Sequence, residues 1–111
     1  MTRRRVDGVT VLTMAGEIDL LTVPEFAATL ATCTEGPVVL DLTAVTFLDS
    51  SGINAVLRAS GEVESAGHRL LVVADLADEG NAVIRPLRLC GADELLTVVA
   101  SVATALARLR R

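Results

Sequence analysis

The period of the apolar positions changes several times along the chain, and each change marks an element. Val9, Val11 and Thr13 alternate with Thr10, Leu12 and Met14, which predicts a strand over Val9–Ala15 with apolar groups on both faces. A short β-prone run near Arg3–Val6 precedes it across Asp7-Gly8, a dipeptide suited to a tight hairpin. Gly16-Glu17-Ile18-Asp19 reads as a tight exit from the second strand. Val23, Phe26, Ala27, Leu30 and Cys33 then recur at helical spacing. Thr22 is placed to cap that helix, Glu25 to complete a capping box, and Pro24 to sit in the first turn. Gly36-Pro37 stops it.

Val38-Val39-Leu40-Asp41-Leu42 is short, apolar and β-branched, the pattern of a buried central strand. Thr43 to Asp49 reads as a connector. From Ser50 the period is helical, with Ile53, Val56, Leu57 and Val63 on one face, until Gly67. Leu70–Ala74 predicts a second buried strand and Asp75–Asn81 a polar loop. Val83, Leu87 and Cys90 predict a helix that starts late or kinks at Pro86 and closes at Gly91. Leu95–Val98 reads as a short edge strand. Ser101 caps a last helix that turns Val102, Ala105, Leu106 and Leu109 inward. Strands separated by helices imply parallel pairs with right-handed crossovers. The expected fold is one α/β domain over residues 1–111: a mixed four- or five-stranded sheet with about four helices, mainly on one face.

Composition narrows the function. Apolar residues make up 51% of the chain and aromatics 2%, so the core is aliphatic. The net charge is −4, and all ten basic residues are Arg. Arg3, Arg4, Arg5, Arg108, Arg110 and Arg111 cluster at the two ends, where they read as solvated termini rather than as a nucleic-acid face. Cys33 and Cys90 lie in apolar helical patterns without a leader-like segment before them, so reduced, buried thiols in a cytoplasmic protein are expected. No apolar run reaches the ~20 residues of a membrane span. The chain has no Lys for a phosphate loop and no Cys/His cluster for a metal. Ser51 and the single His68 stand at opposite ends of a helix of ~25 Å, too far apart for a Ser–His pair. Neither catalysis nor a cofactor is expected.

The chemistry concentrates in Asp49-Ser50-Ser51-Gly52-Ile53-Asn54, where a strand and connector lead into a helix N-terminus. Such an end offers unpaired N–H groups and a positive dipole, and so tolerates a phosphate. Asp49 or Ser50 serves as N-cap, and capping alone accounts for either. Two serines and a carboxylate exceed what a cap needs. Gly52 removes bulk beside Ser51 and is expected to let another protein's backbone approach.

Asp49-Ser50-Ser51-Gly52-Ile53 resembles the phosphorylation motif of the STAS-domain anti-sigma factor antagonists. Gly16-Glu17-Ile18-Asp19 resembles the family's Gly-Glu-Leu-Asp, and Val39-Leu40-Asp41-Leu42 its central strand. Arg85, Leu87, Leu89, Gly91 and Asp93, followed by Leu95-Leu96, resemble its pattern before the last helix. The resemblance spans nearly the whole chain in order. It implies a single STAS domain with Ser51 as phosphate acceptor. It also implies a contact surface of Glu17, Asp19, Asp49, Ser50, Gly52, Ile53 and Asn54. The implied partners are an anti-sigma factor that is also a serine kinase of histidine-kinase-like ATPase fold, and a serine phosphatase. Neither nucleic acid nor membrane is implied, and the free protein is expected to be a monomer. Asp41 is expected to be structural. An acidic Asp75–Asn81 loop and Pro86 depart from the pattern. Relatives that bind small ligands, assemble into stress complexes or support transporters provide the alternative reading.

Overall fold

The computed structural model describes residues 1–110. The elements are β1 (Thr2–Val6), β2 (Val9–Ile18), α1 (Val23–Ala31), β3 (Val38–Leu48), α2 (Ser50–Ser65), β4 (Leu70–Val73), α3 (Ile84–Leu89), a 3-10 turn (Ala92–Glu94), β5 (Thr97–Val99) and α4 (Val102–Leu109). One five-stranded sheet runs in the order β1-β2-β3-β4-β5. Only β1–β2 is antiparallel; the other three pairings are parallel. Val6 pairs with Val9, so Asp7 and Gly8 alone form the hairpin turn, both at positive φ (50° and 81°). That is the turn geometry whose twist matches the flanking strands.

Strand alternation divides the core. Leu12, Leu40 and Val72 face one way and pack with Phe26, Leu30, Val56, Val63 and Leu87 from α1, α2 and α3. Val11, Val39, Leu71 and Val73 face the other way, against Ala105 and the half-buried Val102, Leu106 and Leu109 of α4. Three helices thus cover one face and one the other. Each fully buried Val or Leu contributes about 1.5–3 kcal/mol, which suffices for a core with almost no aromatics.

Several expectations are corrected. Gly16–Ile18 is not an exit turn but the end of β2, and Thr43–Leu48 is not a connector but the second half of β3. Thr13 pairs with Asp41 but Ala15 with Ala44, and Gly16 pairs with Val45 but Glu17 with Phe47. At each step β3 carries one extra residue, a bulge. The buried positions Leu42, Val45 and Leu48 therefore fall three apart, a spacing that hides a strand from a period-two reading. The capping box at Thr22 does not form, because Thr22 makes no side-chain cap. Cys33 is buried as expected, but Cys90 is exposed at the end of α3, since that helix is only six residues long and buries Ile84 and Leu87 alone. Asp49 is the N-cap of α2, and Ser101 caps α4 by accepting from the Thr104 N–H at 3.0 Å.

Candidate functional site

The parallel strands β2 and β3 end side by side, with Ile18 opposite Leu48. The Asp49 N–H donates to the Ile18 carbonyl at 3.2 Å, which ties the start of α2 to the end of β2. Asp49 then turns into α2 with extended backbone and closes the first turn: its carbonyl accepts from the Ile53 N–H at 3.0 Å. A single carboxylate oxygen, Asp49 Oδ1, accepts from the Ser51 hydroxyl at 2.5 Å and from the Gly52 N–H at 3.1 Å. The Ser51 hydroxyl, followed by the Gly52 amide, holds the Asp49 carboxyl below its ordinary value; partial desolvation opposes them. Asp49 is therefore ionised at neutral pH.

Ser50, Asn54 and Glu17 are exposed, and Asp49, Ser51 and Asp19 are half-buried. Asp19 forms the turn between β2 and α1, with Oδ1 accepting from the Leu21 and Thr22 N–H groups at 3.0 and 3.1 Å. The Thr22 hydroxyl accepts from the Asp19 N–H at 2.9 Å and donates to the Glu17 carbonyl at 3.0 Å. Its use in this turn explains why Thr22 does not cap α1.

Gly52 and Ile53 are buried. A Cβ on Gly52 would lie 2.7 Å from both Ile18 Cγ2 and Leu48 Cδ1 and 3.2 Å from the Ile18 carbonyl oxygen. The missing side chain thus lets α2 begin against the strand ends, rather than clearing space for another protein as the sequence suggested. Asp41 Oδ1 accepts from the Thr43 N–H and hydroxyl at 3.0 and 2.7 Å within the first bulge, a structural role as expected.

Sequence reasoning missed the apolar groups around this pole. Leu20 and Leu21 are 74% and 89% exposed in the Asp19 turn, and Phe47, paired with Glu17, is 49% exposed. The signal was present: Leu-Leu within a polar turn has no core to enter. Ser51 and Asn54 also open onto a groove of about 400 Å³ between α1 and α2, lined further by Val23, Ala27 and Arg58. Among the described residues, no group of three or more His, Cys, Asp or Glu is placed to hold a metal. No described helix is long and apolar enough to cross a membrane.

The STAS domain family model matches residues 1–105. The chain belongs to the STAS domain family. The STAS domain superposes on an anti-sigma factor antagonist from Mycobacterium paratuberculosis with a TM-score of 0.86 at 27% identity, covering 99% of this chain and 92% of that one. A putative anti-sigma factor antagonist from Thermotoga maritima gives 0.85 at 21% identity, covering 99% and 94%. The anti-sigma factor antagonist SpoIIAA in its unphosphorylated form gives 0.72 at 20% identity, covering 98% and 96%; the Bacillus protein's phosphorylated form gives 0.69, also at 20%, covering 98% of each chain. No curated protein sequence matches.

Proposed function

We propose that this STAS domain is an anti-sigma factor antagonist that works by partner switching in the cytoplasm of a bacterium. Its unphosphorylated form binds an anti-sigma factor that is also a serine kinase, and so frees a sigma factor. Phosphorylation of Ser51 ends the binding, and a serine phosphatase restores it. The observation that carries the reading is the Ser51 hydroxyl, half-exposed in the first turn of α2 and held by an ionised carboxylate 2.5 Å away. The resemblance to antagonists, one of them known in phosphorylated and unphosphorylated forms, supports it.

The chemistry is a transfer of the γ-phosphoryl group of ATP. A bond forms from Ser51 Oγ to the γ-phosphorus, the bond from that phosphorus to the bridging oxygen breaks, and ADP leaves. The hydroxyl proton passes to a base supplied by the kinase. Asp49 is a positioning residue that fixes the hydroxyl rotor. The product carries about −1.5 to −2 charges next to the Asp49 carboxylate, and its hydroxyl donor is gone. The dipole and free amides at the start of α2 accommodate the added charge, so the fold persists and the cost falls on the complex. A partner carboxylate or apolar surface packed there loses about 2–5 kcal/mol, a weakening of roughly 30- to 3,000-fold.

Incubation of the pure protein with ATP and an extract of its source cell tests the acceptor. One phosphate mapped to Ser51 by mass spectrometry, absent from Ser51→Ala, is expected. Phosphate placed on another residue, or unchanged labelling of Ser51→Ala, contradicts the assignment.

A further inference from the structure

At the pole opposite Ser51, the β1–β2 turn, the start of β4 and the ends of α2 and α4 line an open cavity of about 550 Å³, with Arg69, Arg108 and Arg110 exposed at its rim. Its ionisable lining residues are Asp7, His68, Arg69, Arg108 and Arg110. The Arg110 guanidinium lies 4.0 Å from the Asp7 carboxylate. Arg69 and Arg108 have no carboxylate within ion-pair distance among the described residues. Three guanidinium groups, two of them without a carboxylate partner among the described residues, and an imidazole therefore line one opening, in a chain whose net charge is −4.

Helix polarity opposes an anion here, because the C-terminal ends of α2 and α4 together amount to about one negative charge. Among the described residues, Arg69 and Arg108, without carboxylate partners, outweigh this. Val9, buried, and Leu106 and Leu109, half-buried, supply an apolar part of the lining. Gly8 and Gly67, at φ 81° and 86°, line the cavity without side chains, and a Cβ on either would meet nothing within 4 Å. The volume lies within the range of small-molecule sites, and the planar Arg fork suits phosphate and carboxylate oxygens.

We infer that this cavity is a binding site for a small amphiphilic anion, with a phosphate or carboxylate head held by Arg69 and Arg108 and an apolar body against Leu106 and Leu109. The site is independent of Ser51. The test is a titration of the 15N-labelled full chain with AMP, octanoate and inorganic phosphate, followed by amide shifts. AMP or octanoate is expected to move the signals of Gly8, Gly67 and Leu109, with a dissociation constant at or below about 1 mM. Binding by AMP alone assigns a phosphate ester as the head, and binding by octanoate alone a carboxylate. Inorganic phosphate should bind at least about tenfold more weakly, and Arg69→Gln/Arg108→Gln should weaken binding by at least about tenfold. If the double variant does not keep the wild-type spectrum, Arg108→Gln alone, on the exposed last turn of α4, must show a weakening. The inference is overturned if neither organic anion moves these signals at millimolar concentration. Inorganic phosphate binding equally well, or binding indifferent to the Arg substitutions, overturns it too.

Discussion

One oxygen of Asp49 links the fold to the proposed switch, because it holds both the Gly52 amide that starts α2 and the Ser51 hydroxyl. Asp49→Asn leaves a competent N-cap residue in place but removes the charge from its bonds to the Ser51 hydroxyl and the Gly52 amide. It should lower the melting temperature at pH 7 measurably. The folded carboxyl titrates below its unfolded value, so its contribution is present above about pH 4. The contribution disappears as pH falls through the folded value. The melting curves of wild type and Asp49→Asn should therefore converge under strong acid, and a difference that persists there contradicts the account. Gly52→Ala gains helix propensity of about 1 kcal/mol but drives its Cβ into Ile18 and Leu48, with the Ile18 carbonyl behind them. Net destabilisation of about 1–3 kcal/mol is expected, and an unchanged urea midpoint would count against that packing. The Asp-Ser-Ser-Gly motif was legible because capping chemistry is local. The reason for Gly52 was not, because the atoms it avoids belong to strand ends that only the tertiary fold brings together.

The elements divide by whether their pattern is local. The hairpin at Asp7-Gly8, the buried strands at Val38 and Leu70, and α2 with its Gly67 stop all follow from period and punctuation. The second half of β3 does not, since its two bulges reset the alternation and place buried residues three apart. The cap of α1 was misassigned because Asp19 and Thr22 satisfy each other within the turn, an arrangement that competes with a capping box using the same residue types. Cys90 was misplaced because its helix was expected to be longer than it is. The bulged part of β3 carries the chain from the sheet centre to Asp49, so its geometry sets where Ser51 stands. Asp41→Ala removes both bonds that hold the first bulge and should cost about 1–2 kcal/mol in urea unfolding. A loss of no more than a few tenths would show that the bulge is fixed by packing alone.

The whole molecule has two unlike poles. The end where β2 and β3 finish presents Ser51 with its partner Asp49, and the last residues of those strands and the turn after β2 leave Glu17, Leu20, Leu21 and Phe47 exposed; the opposite end presents Arg69, Arg108 and Arg110. Large apolar side chains left in water at the same end of the sheet as the proposed switch fit a surface that a partner covers. Leu20→Gln/Leu21→Gln should leave the melting temperature within about 2 °C, since neither side chain packs in the core, and should weaken partner binding by at least about tenfold. Intact affinity would place the interface elsewhere. The family and its architecture were legible in residues spread along the chain. The exposed leucines were visible too, but their place at the same end of the sheet as Ser51 depends on β2 and β3 ending together. The measurement that bears most directly on the switch is capture from the source cell with wild type, Ser51→Ala and Ser51→Asp as baits, with bound proteins identified by mass spectrometry. The account predicts that wild type and Ser51→Ala retain an ATPase-fold kinase that Ser51→Asp does not. Capture of the same proteins by all three baits would contradict it.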